Sequence, residues 1–92
     1  MLRLVMIDLT GADLPVFEAY ETKVLALVQK HGGRVDVRVR SLDGARETHL
    51  LFFPDAPTYE RYRDDPARLA IRSEWESSGA RLTAEEVEEV IS

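Results

Sequence analysis

Residues 34–53 read RVDVRVRSLDGARETHLLFF, and the fold turns on how the two halves of this stretch pair. Val35, Val37 and Val39 alternate with Asp36, Arg38 and Arg40, the pattern of a strand with one apolar and one polar side. Asp43-Gly44 is the dipeptide that a two-residue type I′ hairpin turn prefers, because both central positions need positive φ. With these two as the loop, Leu42 opposes Ala45, and Val39, Val37 and Val35 meet Thr48, Leu50 and Phe52. The same register sets Arg40 beside Glu47, Arg38 beside His49 and Asp36 beside Leu51. Turn chemistry and side-chain pattern point independently to one hairpin.

Working outward, MLRLVMIDL carries Val5, Ile7 and Leu9 on one side and Leu4, Met6 and Asp8 on the other, which reads as a first strand. Asp13 is a candidate N-cap, Pro15 suits a first turn, and Gly32-Gly33 supplies the stop of a helix. Its apolar stripe is Phe17, Tyr20, Val24, Leu27, Val28 and His31. Beyond Phe53, Pro54-Asp55 ends the strand and Asp55 can cap a helix from Ala56 that carries Tyr59 and Tyr62. Asp65 and Pro66 start a second helical piece with Leu69, Ala70 and Trp75, ended by Ser77-Ser78-Gly79, so the crossover is one bent helical segment. The tail over residues 82–91 is ambiguous: Thr83 with Glu86 forms a capping box and Val87, Val90 and Ile91 a helical stripe, yet alternation also permits a strand.

Ninety-two residues make one domain, residues 1–92, with a single compact core. A formal net charge of −5 with cations scattered among acids argues against a nucleic-acid partner. The absence of cysteine removes disulfides, thiolate metal sites and Cys nucleophiles. Neither His31 nor His49 stands at metal-ligand spacing, so no metal is expected. No window is long enough to span a bilayer, and the address expected by default is cytoplasmic.

The order strand, helix, hairpin, helix, tail is the split βαβ arrangement of an α+β, ferredoxin-like fold, βαββαβ with an antiparallel sheet if the tail is a strand. The run FEAYETKVLALVQKHGGRV, the strand ending FFPD and the segment YERYRDDPARLAIR resemble a small uncharacterised family of the dimeric α/β-barrel superfamily. That resemblance covers roughly residues 16–72 by motif. It implies a homodimer in which two sheets pair into a barrel around a cavity, and it implies a strand for the tail. The superfamily it resembles includes cofactor-independent monooxygenases, muconolactone isomerases and structural dimers; fold alone selects none of them.

In that arrangement helices cover one sheet face, expected to be the one bearing Val35, Val37, Val39, Leu50 and Phe52. The other face would bear Arg38, His49, Glu47, Leu51 and Phe53 together with Leu4, Met6 and Asp8, and would pair with a second copy. His49 and Arg38 are then the candidate catalytic pair, His49 as base and Arg38 orienting an acidic group. Asp8, Met6, Leu51, Phe53 and Trp75 are the candidate ligand-binding residues around a small apolar or acidic molecule held between the sheets, with no cofactor. The competing reading is a non-catalytic dimer in which Arg38 and His49 are plain cross-strand neighbours and Arg40 with Glu47 makes an ion pair.

Overall fold

A computed structural model of the chain describes residues 1–91. The elements are β1 (Leu2–Asp8), α1 (Leu14–Lys30), β2 (Arg34–Arg40), β3 (Arg46–Phe52), α2 (Ala56–Arg63), α3 (Pro66–Ala70), α4 (Arg72–Ser78) and β4 (Arg81–Val87). The four strands form one antiparallel sheet in the order β2-β3-β1-β4, which is the ferredoxin-like α+β topology. No helix among the described residues is long and apolar enough to cross a membrane.

Local chemistry sets the element ends. Asp13 accepts from the Val16 amide and caps α1, with Pro15 in its first turn, and Gly32 turns the chain out of the helix at φ 78°, a conformation that glycine adopts without strain. Asp55 caps α2 and Asp65 caps α3 with Pro66 at its start. The crossover is divided once more at Ile71, giving α4. The tail is a strand: Leu2 to Asp8 pair with Val87 to Arg81 along its whole length. Backbone hydrogen bonding to β1 outweighs the helical propensity of its glutamates, as tertiary context commonly does.

The hairpin keeps its expected register near the turn, with Arg40 opposite Glu47, Arg38 opposite His49 and Val37 opposite Leu50. Its loop is nevertheless four residues, closed by the Ser41 amide donating to the Arg46 carbonyl at 2.8 Å. Only Gly44 has positive φ, so the turn is not type I′; Asp43 instead accepts from the Ala45 amide and the Ser41 hydroxyl. Two- and four-residue loops centred on the same point give the same register, which is why the pairing survives the different turn. Farther out a bulge at Asp36 shifts the pairing, and Val35 meets Leu51 rather than Phe52.

Leu4, Met6 and Asp8 of β1 lie on the uncovered face of the sheet as expected, but the two faces of the hairpin are exchanged relative to expectation. In β1, Val5 pairs with His49 and Ile7 with Glu47, while Leu4 pairs with Leu50 and Met6 with Thr48. The helices cover Val5, Ile7, Glu47, His49 and Leu51, and Val37 and Val39 are left outside at 43% and 54% exposure. Valines on an alternating strand look like core, but here Glu47 and His49 are buried because charged partners from α1 and β2 reach them. Two joined clusters fill the space under the helices: Tyr20, Val24, Val28, Leu51, Phe53 and Tyr62, and beside them Ile7, Leu9, Phe17 and Ala80.

Candidate functional site

The inward face of α1 presents Phe17, Tyr20, Glu21, Val24 and Val28, spaced three or four apart as a buried helical stripe requires. Glu21 occupies the middle of that stripe and is only 3% exposed. It faces β3, where Glu47 and His49, two residues apart, point the same way and are each 2% exposed. A buried carboxylate is stable only with charged or hydrogen-bonded partners. Glu47 has them: Arg40 Nη2 donates to its Oε1 at 2.7 Å, Arg38 Nε to its Oε2 at 3.2 Å, and His49 Nε2 lies 2.6 Å from Oε2. Both arginines also reach Glu18.

Burial works against the charge on Glu47, but hydrogen bonds from His49, Arg40 and Arg38 hold its carboxyl below the usual range. Since Glu47 is ionised, the short contact has His49 Nε2–H as donor, and the free lone pair of the ring belongs to Nδ1. That nitrogen faces Glu21 Oε2 at 3.9 Å, beyond hydrogen-bond reach. Glu21 Oε2 is buried with no partner at all. Loss of solvent, reinforced by the charges of Glu47 and Glu18 and opposed by Arg38, pushes the Glu21 carboxyl up to about 7.

A cavity of about 80 Å³ lies between sheet and helices, its wall made by Tyr20, Glu21, His49, Leu51, Tyr62 and Arg68 among others. Burial raises the Tyr20 hydroxyl to about 12 and also raises that of Tyr62, so both phenols are neutral donors at physiological pH. At the rim, the Arg3 guanidinium sits 4.7 Å over the Tyr59 ring.

Of the residues singled out from sequence, His49 and Leu51 line this cavity, and Arg38 acts at one remove by holding Glu47. Phe53 is completely buried between Tyr59 and Tyr62, 5.3 Å from each, and belongs to the core. Trp75 packs on Phe17 and Tyr20, behind the cavity wall. Asp8 and Met6 project from the opposite face of the sheet, where Asp8 pairs with Arg46 and Met6 with Thr48, and so cannot join His49. The proposed set divides because strand alternation puts Met6 and Asp8 on one side and Val5 and Ile7 on the other. His31 bonds Asp65 at 2.7 Å at the end of α1.

Glu21 and Arg68 were missed by the sequence reading. Glu21 was legible as an acid four residues after Phe17 and three before Val24, inside an apolar stripe; Arg68 carries no such signal. Donor atoms of Glu21, Glu47 and His49 lie within 4.8 Å of one another. Both Glu47 oxygens are occupied by arginines, however, and His49 Nε2 is spent on Glu47. The two donors left, Glu21 and His49 Nδ1, fall one short of the three protein ligands of a catalytic zinc site.

No protein-family model and no curated protein matches the chain. Solved structures do. A protein from Agrobacterium tumefaciens superposes with a TM-score of 0.66 at 17% identity, over 94% of this chain and 92% of that one. An uncharacterised NIPSNAP domain protein from Burkholderia xenovorans gives 0.63 at 13% identity, over 100% and 99%. A candidate antibiotic biosynthesis monooxygenase from Deinococcus radiodurans gives 0.61 at 11% identity, over 100% and 97%. At these identities the likeness is one of fold, the ferredoxin-like α+β architecture with a four-stranded antiparallel sheet.

Proposed function

We propose that the protein is a homodimer that binds a small, largely apolar molecule inside each protomer and exchanges a proton with it at Glu21, without a cofactor. The observation that carries this reading is Glu21 Oε2, a buried carboxyl oxygen with no partner in the wall of a cavity. A carboxyl held at about 7 has acid and base forms in comparable amounts at neutral pH, the condition for general acid–base work. His49 stands behind it, its Nε2 bonded to Glu47 and its Nδ1 turned toward Glu21. A proton taken from a ligand by Glu21 can therefore pass to His49 once Oε2 closes the 3.9 Å gap. Isomerisation would return that proton to another ligand atom; oxygenation would need dioxygen as co-substrate. The cytoplasmic address expected from the sequence stays part of the proposal.

Dimerisation has separate support. The uncovered sheet face bears Val37, Val39 and Met6, exposed at 43%, 54% and 50%, beside Leu4, Leu50 and Phe52. Apolar side chains on an uncovered four-stranded face favour burial against a second copy of the same face. The ligand site is then within each protomer rather than between the two sheets. Amide NMR mapping with phenol as probe tests this location. Shifts at Glu21, His49, Leu51 and Tyr62 that weaken in Glu21→Gln are expected; shifts on Val37, Val39 and Leu50 would return the site to the inter-sheet face and overturn the reading.

A further inference from the structure

We infer that Arg68 is an anion anchor and that the ligand of the interior cavity is a small monoanion, a carboxylate or enolate, whose charged oxygen meets Arg68 Nε while its remaining oxygen faces Glu21. This inference rests on the interior-cavity reading. Arg68 lies in α3 and reaches into the cavity wall beside Tyr62. Its guanidinium lies 5.2 Å from the Tyr62 ring centre, and its Nη1 donates to the Arg63 carbonyl at 3.1 Å. These contacts fix the plane of the fork and leave Nε buried with no acceptor. A buried guanidinium N–H without an acceptor is costly, and an oxygen anion is the partner it takes best.

Among the described residues two buried side-chain atoms have no partner, Glu21 Oε2 and Arg68 Nε, and both residues line the same cavity. They have opposite character, yet they do not satisfy one another. A carboxylate would satisfy both, one oxygen accepting from Arg68 Nε and the other from the protonated Glu21 carboxyl, with Tyr20 and Tyr62 as neutral neighbours. A ligand lacking the charge would leave Arg68 Nε orphaned, and this sets specificity in the way that an unfilled buried donor does. Size narrows the class further. The cavity is about 80 Å³, roughly half the volume of an engineered cavity of about 150 Å³ that accepts benzene. A short-chain acid fits within that volume at rest.

Crotonate and crotonamide are matched in shape and differ in charge, so titrating each into the full-length protein under amide NMR is the test. Crotonate is expected to bind at least about tenfold tighter, the worth of one charged hydrogen bond, with shifts at Glu21, Tyr62 and Arg68. In Arg68→Gln that preference should fall to about one. If Arg68→Gln fails to fold, Arg68→Lys keeps a cation over Tyr62 but has no Nε donor, and its preference should fall as well. Equal binding of the two probes in the cavity would overturn the anion inference and leave the cavity reading standing. A preference that persists in both variants would overturn the assignment to Arg68. If neither probe shifts any cavity residue at saturating concentration, both readings are overturned together.

Discussion

Replacing Glu21 by Gln should make the protein more stable at alkaline pH and change little at acid pH. Folding moves the Glu21 carboxyl from its ordinary value of 4.5 to about 7, so the folded state binds more protons than the unfolded state between those values. Stability therefore falls as pH rises through that window. Each unit is worth about 1.4 kcal/mol, so the ionised side chain costs about 3 kcal/mol above pH ~8, which is a large share of the ~5–15 kcal/mol that holds a domain together. Gln keeps the shape and never ionises. The groups facing Glu21, namely His49, Glu47, Arg38, Glu18, Tyr20 and Tyr62, are present in both proteins, and their own titrations largely cancel in the difference. Urea unfolding of both proteins from pH 4 to 8.5 gives that difference directly. It should be flat below pH ~4.5 and climb to about 3 kcal/mol in favour of the variant by pH ~8. Parallel stability curves would refute the argument, because they would mean that Glu21 ionises normally in the folded protein.

Other substitutions probe the supports of the site. Arg40→Ala strips Glu47 Oε1 of its hydrogen bonds and should cost about 1.5–3 kcal/mol, the range for bonds to a charged group, read by urea unfolding at pH 7. Gly33→Ala should cost about 1–3 kcal/mol through overpacking, since the added methyl would lie 2.8 Å from Val28 Cγ1 and 2.9 Å from the Phe52 carbonyl oxygen. Val39→Asp puts a charge on the uncovered sheet face, and sedimentation equilibrium should find the parent at twice its chain mass, as the proposed dimer requires, and the variant a folded monomer.

The hairpin and the topology were readable because they rest on local rules with a period of two. Arg40 with Glu47 and Arg38 with His49 follow from the centre of the turn alone, and loops of two or four residues about that centre give the same pairs. Which face of the sheet is covered is not a local property. Both sets of β3 side chains are partly apolar, Thr48, Leu50 and Phe52 on one side and His49, Leu51 and Phe53 on the other. The choice is made by Arg38, Arg40 and Glu18, which pay for burying Glu47. The bulge at Asp36 hid the same fact, since beyond it Val35 changes face. For the site, His49 stood out by its chemistry and its strand, whereas Arg68 reaches the cavity only because the crossover breaks at Asp65-Pro66 and again at Ile71. Such a break is visible in sequence, but its angle is not.

The side-chain carboxyl of Glu21 reports the state of the site more directly than any variant does. A carbon-13 NMR titration of that carboxyl in the intact protein should give a midpoint near the value of about 7 that burial imposes. The His49 ring signals should move in the same step, because the two groups face each other across 3.9 Å. A midpoint at the ordinary 4.5 with an indifferent His49 would mean that Glu21 is solvated, and the interior acid–base site would be contradicted.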